Sequence, residues 1–179
     1  MNFNLIEKAI YDWIKAVTKR ESIKENQNSP RPLLPYLTFK IRSVESLGTD
    51  FFGPVDETTG KAKVKGVRRA ILIIESFGYN SMSVLEDLAM SPINYYYSKI
   101  LSDVGIAILN KLSINDLTGL SDTIFEERAE VNFNILIGRE SEEKDEIDIG
   151  IIETTILNET IKNEGSAYID LITITSDNL

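Results

Sequence analysis

The chain has 179 residues, 42% hydrophobic and 26% charged, which is the length and composition of one globular domain with its own core. A net charge of −9 argues against a general nucleic-acid binder, because neutralising phosphate takes Lys and Arg, though it allows a surface that DNA slides past. Neither His nor Cys occurs, which removes disulfides, Ser-His-Asp and Cys-His nucleophile systems and nearly all zinc sites, leaving only carboxylate chemistry with or without Mg²⁺.

Phe3–Thr18 reads as an amphipathic helix, with Leu5, Ile6, Ala9, Ile10, Trp13, Ile14 and Val17 on one stripe. Glu21–Pro32 is polar and ends in Ser-Pro-Arg-Pro, the pattern of a loop. Pro35 then opens a strand over Tyr36–Val44, where Leu37, Phe39 and Ile41 alternate with Thr38, Lys40 and Arg42. Leu47–Lys63 reads as a loop. Its pair Phe51-Phe52 either folds back onto the core, the favoured expectation, or makes an exposed contact. Gly60-Lys61 is not a phosphate-binding loop, since the spacing is wrong and no Ser or Thr follows Lys61.

Within Val67–Phe77, the run Ala70–Ile74 is apolar on both sides and short enough for a central strand. Gly78-Tyr79-Asn80 breaks it. Ser83 and Glu86 make a capping-box pattern that opens a helix, with Met82, Leu85, Leu88 and Ala89 inward. Pro92 starts a second helix, in which Ile93, Tyr96, Tyr97, Ile100 and Leu101 share a face and Gly105 is the stop. The triplet Tyr95-Tyr96-Tyr97 has only Lys99 as a basic neighbour, so it reads as core and interface aromatics rather than a base-stacking platform. Ile106–Leu112 is a short strand and Ser113–Asp122 a loop.

The dominant pattern is Ile124–Ile137. Phe125, Ala129, Val131, Phe133, Ile135 and Ile137 alternate strictly with Glu126, Arg128, Glu130, Asn132 and Asn134, as in a strand with one buried and one wet face. At about 3.3 Å per residue it spans roughly 45 Å, more than a small domain needs. The excess goes either into a bulge or into an arm that reaches another chain, and the arm is the expectation. Acidic residues crowd 139–146, and 147–157 returns as a strand, making 124–157 a long hairpin with an acidic tip. A last strand follows at 167–175. The order predicts an α+β fold: a mostly antiparallel sheet, an N-terminal helix and a two-helix insert packed on one face, and a long β-hairpin arm, all in one domain over 1–179. No segment reaches 18 consecutive apolar residues and no signal-peptide pattern opens the chain, so the expectation is a soluble protein with no membrane partner.

Glu127 is the odd residue, a charge on the apolar face of the main strand. It sits either at an exposed strand end or against a cation, with Arg31, Arg42 and Arg68 as candidates. Arg128 points the other way and makes a second such bond.

Two pieces of the chain resemble a known family. Arg31-Pro32 followed by Pro35-Tyr36-Leu37-Thr38 is similar to the Pro-Tyr strand opening of bacteriophage neck and tail terminator (tail completion) proteins. Glu127-Arg128 within Phe125–Phe133 resembles that family's second signature. The two-helix segment lies between them in the family's order, and the resemblance covers residues 1–140. It implies a non-enzymatic ring, typically a hexamer, that caps the tail tube and joins it to the head connector. The implied partners are other copies of the chain, the tail tube protein and a head–tail connector or stopper, with genomic DNA passing through unbound. The implied location is the virion tail or neck, after synthesis in the bacterial host cytoplasm, and no cofactor is implied. The residues expected at subunit or partner contacts are Arg31, Tyr36, Phe51, Phe52, Glu127 and Arg128. Those expected to line a DNA conduit are Glu140, Glu142, Glu143, Asp145 and Glu146, where fixed negative charge would repel phosphate. Two rival expectations are an adaptor that binds a partner by strand addition and a Mg²⁺-dependent enzyme using Asp145, Glu146 and Asp148.

Overall fold

A computed structural model describes residues 2–28, 30–56, 58, 61–121 and 124–142. The chain divides into two compact units, 1–53 with 64–141 and 54–63 with 142–179. The described residues of the second unit include a turn, in which the Asp56 carboxylate accepts from the Thr58 N–H at 2.8 Å and the Lys61 carbonyl accepts from the Asp56 N–H at 3.0 Å.

Helix α1 (Phe3–Thr18) has the expected bounds. Asn2 caps its start by accepting from the Asn4 N–H, and Lys19, at φ 58°, closes it by donating to the Lys15 carbonyl. Ile6, Ala9, Ile10, Trp13 and Ile14 are buried, whereas Leu5 is exposed.

Among the described residues the main sheet has six strands. β1 (Glu21–Lys24), β2 (Tyr36–Ser46), β4 (Ala62–Phe77), β8 (Arg128–Glu142) and β5 (Ile106–Asp116) follow one another across it, and β3 (Phe51–Val55) pairs with β4 off this path. β2 is antiparallel to β4, and β5 to β8. Gly78 meets Glu127 at one end and Lys65 meets Glu140 at the other, so β4 and β8 also run antiparallel. β1 is the exception, parallel to β2 with Glu21 opposite Tyr36. The expected loop over 21–32 thus begins as a strand. Four residues, only two of them apolar or small, give too little pattern to register as one.

One face of this sheet carries the core. Leu37 and Phe39 of β2, Ala70, Leu72 and Ile74 of β4, Ile106 of β5, and the five alternate residues Ala129–Ile137 of β8 pack against the helices. The alternation in 129–137 is realised in full, each odd position being 0% exposed. Trp13 reaches from α1 to Phe133, ring edge to ring face at 5.7 Å, and its Nε1–H donates to Ser91 Oγ at 2.9 Å. The Ser91 hydroxyl in turn donates to the Leu88 carbonyl, so the indole's polar group is satisfied inside the core.

The helical insert differs from expectation at both starts. α2 spans Ser81–Met90, two residues ahead of the Ser83 capping box; its buried positions are Ser81, Leu85 and Leu88, and Met82 is exposed. A 3₁₀ turn at Ser91–Ile93 leads into α3 (Tyr95–Ser102), capped by Asn94. The inward face of α3 is Tyr97, Ile100 and Leu101, which leaves Ile93, Tyr95 and Tyr96 on the surface. Two turns of helix bury one narrow stripe, and residues three and four apart define it.

The Leu47–Lys63 loop is overturned in part by β3, where Phe51 and Phe52 are 66% and 60% exposed rather than folded back. The core face ends at Ala70 on β4, so nothing in the hydrophobic cluster reaches the end of the sheet where β3 pairs. At that end Gly66 leaves room for the Asp50 carboxylate, which a Cβ there would overlap. Asp50 accepts from both terminal nitrogens of Arg68 at 2.6 Å. The Arg68 hydrogen bonds hold the Asp50 carboxyl below its ordinary value of 3.8, against the opposing effect of burial. A depressed folded-state value contributes stability that is complete above the unfolded value and is lost as pH falls through the folded one. Asp50→Asn is therefore expected to flatten the acid limb of a thermal-melting profile below about pH 4. A limb that superimposes on the wild-type curve would show that the pair does not contribute.

Candidate functional site

The two stretches singled out in the sequence meet at the end of the sheet where β2 begins and β4 finishes. Tyr36 and Phe77 stand directly opposite in the antiparallel ladder, and their rings stack at 4.8 Å with an interplanar angle of 8°. Arg31 approaches from the segment ahead of β2, its guanidinium 5.5 Å from each ring and its Nε–H donating to the Tyr36 hydroxyl at 2.6 Å. Arg128, the first residue of β8, places its guanidinium 4.8 Å from the Phe77 ring. Two guanidinium groups and two aromatic rings thus form one cation–π cluster.

Each cation has its own carboxylate. Arg31 pairs with Glu126, and Arg128 donates to Glu75 at 2.7 Å. Burial lowers the proton affinity of Arg31, but the Tyr36 hydroxyl and Glu126 more than offset it and the net shift is upward. The expected partners of Glu127 are therefore displaced: Arg31 takes Glu126, and Arg68 takes Asp50 at the far end of the sheet.

Glu127 takes the other expected place, exposed at a strand end. It is the break between β7 (Ile124–Glu126) and β8, so the run expected as one strand is two. Its carbonyl accepts from the Gly78 N–H at 2.8 Å and its carboxylate from the Asn80 N–H at 2.7 Å. Asn80, at φ 58°, precedes α2 and supplies no side-chain cap of its own. The Glu127 carboxylate supplies the negative group that the helix N-terminus favours. Gly78, at φ 94°, has Pro35 so close that a Cβ there would come within 3.1 Å of it, so the turn needs glycine on both counts.

Beyond the break, β7 pairs not with the main sheet but with β6 (Gly119–Ser121), Phe125 facing Leu120. That is why Phe125, expected on the buried face, is 74% exposed. The Arg128 backbone fixes this hairpin, its N–H donating to Thr118 Oγ1 and its carbonyl accepting from the Leu117 N–H. Arg31, Tyr36, Phe77, Arg128, Leu117 and Leu120 together surround an open cleft of ≈ 490 Å³.

Arg31, Arg128, Glu75, Glu126 and Glu127 all have a charged or main-chain partner within the cluster. Among the described residues no group of three or more His, Cys, Asp or Glu stands close enough to hold a metal.

A family model described as phage neck terminator protein matches residues 4–163. The chain belongs to that family. It is a family of structural proteins of the phage neck. No curated protein matches the chain, and no described helix is long and apolar enough to cross a membrane.

In this terminator, Arg31, Tyr36, Glu127 and Arg128 come together at one end of the sheet, while Phe51 and Phe52 lie on β3 at the other. Glu140 stands in β8 beside Lys65, not in a turn, because the strand continues to Glu142. Glu143, Asp145, Glu146 and Asp148 lie outside the described residues, as do the return of the arm to 157 and the strand at 167–175. Phe77, Glu75 and Glu126 are the cluster residues the sequence did not single out. Phe77 had a signal, as the aromatic that ends the central apolar run; the carboxylates had none, since their partners lie 53 and 95 residues away.

Proposed function

We propose that the terminator closes into a ring, six copies around an axis, that caps the tail tube, joins it to the head connector and leaves a conduit for DNA. The observation that carries this is the match to the neck terminator family over residues 4–163, which makes the chain a structural part of the virion neck. Two features support the ring. Among the described residues β5 is a sheet edge, eleven residues long, with Leu109 and Leu112 exposed, and an open edge offers unpaired N–H and C=O groups to another chain. A closed cyclic ring also uses two different patches per subunit, and a chain with exposed apolar residues at both ends of its sheet has them.

The conduit is supported by where the charge lies. Residues 143–179 hold nine of the 28 acids and two of the 19 bases, so −7 of the net −9 falls there. Acids at Glu140, Glu142, Glu143, Asp145 and Glu146 facing a lumen would keep phosphate from sticking. Replacing these five by Lys is expected to impair DNA ejection while particles still assemble. Unchanged infectivity would remove the conduit assignment.

The ring is tested by incubating purified terminator with tail tubes and imaging the tube ends by negative-stain electron microscopy. A six-fold ring on one end is the expected result. Single copies bound along or at the tube, with no ring at any protein concentration, would favour an adaptor that binds by strand addition.

A further inference from the structure

We infer that two exposed apolar patches, at opposite ends of the main sheet, are the two halves of one head-to-tail contact between copies of this chain. The inference rests on the ring proposed above and assigns its surfaces. The first patch surrounds the mouth of the cleft: Leu33, Leu34, Leu117, Leu120 and Phe125 are all exposed, Leu33 at 93%. The second lies where β2, β3 and β4 meet: Val44, Leu47, Phe51, Phe52 and Val67 are exposed, with the Leu47 N–H donating to the Val67 carbonyl. Adjacent strand residues point to opposite faces, so Phe51 and Phe52 leave both faces bare at that end. The β2–β4 register puts Tyr36 opposite Phe77 near the first patch and Ser46 opposite Arg68 near the second. Nine residues of β4 separate these pairs, roughly 30 Å. Apolar patches of this kind with polar rims mark interaction sites.

Charge decides that unlike patches meet. Around the first, the acids Glu75, Asp116, Glu126 and Glu127 outnumber Arg20, Arg31 and Arg128. Around the second, Arg42, Lys65, Arg68, Arg69 and Arg139 outnumber Glu45, Asp50 and Glu140. First against second pairs opposite surpluses, whereas either patch against itself pairs like ones. A contact between unlike patches is also the kind that closes a ring.

The test is a mixing experiment read by native mass spectrometry and by imaging on tail tubes. One variant carries Leu120→Asp and Phe125→Asp, the other Phe51→Asp and Phe52→Asp, and all four residues are exposed. Melting curves close to wild type establish that each folds; Leu33→Asp and Val67→Asp are the second pair should either not. Each variant alone is expected to stay a single copy under conditions where wild type forms rings. The mixture is expected to double in mass and stop there, since each partner keeps one good patch and the pair cannot close. Rings from either variant alone would overturn the assignment, and so would a mixture that stays at single-copy mass. Wild type that never assembles, even on tube ends, would instead bring down the ring and this contact with it.

Discussion

Replacing Trp13 with alanine is expected to remove about 3–5 kcal/mol of folding stability, the usual cost of deleting a large buried aromatic. Trp13 is fully buried, meets Phe133 edge to face and donates to Ser91 Oγ. It ties the first helix, the central strand β8 and the turn after α2 in one place, so the cavity has no single neighbour able to fill it. For a chain of this size the loss corresponds to a fall of roughly 6–20 °C in Tm. Trp13→Phe is expected to cost less, because a ring remains against Phe133 and Ser91 keeps its bond to the Leu88 carbonyl. Chemical denaturation of both variants checks this. An alanine variant within about 1 kcal/mol of wild type would mean that the core is not organised around this side chain.

Arg128→Ala is expected to cost about 2–3 kcal/mol, since it strips a largely buried carboxylate of its cation. The Glu75 side chain is only 10% exposed, and Arg128 at 2.7 Å is the cation bonded to it. The same substitution removes the guanidinium from the Phe77 ring and so loosens the floor of the cleft. Glu75→Gln in the same chain should recover part of the loss, because a neutral amide tolerates the missing cation. A double-mutant cycle over Glu75 and Arg128 measures the coupling, expected at about 1–3 kcal/mol. Additive effects of the two substitutions would show that the pair is incidental.

What was legible in the sequence was local and periodic. The stripe from Ile6 to Ile14 fixed α1 to the residue, and alternation from Ala129 to Ile137 placed the buried face of β8 without error. The apolar run Ala70–Ile74 marked the central strand because residues buried on both faces leave no polar alternation. The break at Glu127 was not legible, since its cause is the Gly78 and Asn80 N–H groups, which lie 49 and 47 residues earlier in the chain. Continuing the alternation through it put Phe125 inside, when the hairpin with Leu120 turns it out. The break takes 124–126 out of the main strand, yet β8 runs on to Glu142 and is still fifteen residues long. α2 begins at Ser81 rather than Ser83 for the same reason, because its first turn is met by a carboxylate from another strand. For Phe51 and Phe52 the sequence leaves fold-back and exposed contact both open, because hydrophobicity does not say where the helices stop covering the sheet. At the candidate site, Arg31, Tyr36 and Arg128 were found from short motifs, but their carboxylate and aromatic partners emerge only once β2, β4 and β8 are side by side.

The measurement that bears most directly on the account is a cryo-electron microscopy reconstruction of the neck of the phage that encodes this chain. The expected result is a closed ring of identical copies between tube and connector, with the Arg31–Tyr36–Phe77–Arg128 end of each sheet against the Phe51–Phe52 end of the next. A neck in which the chain sits as separate copies, touching other proteins but not one another around the axis, would contradict it.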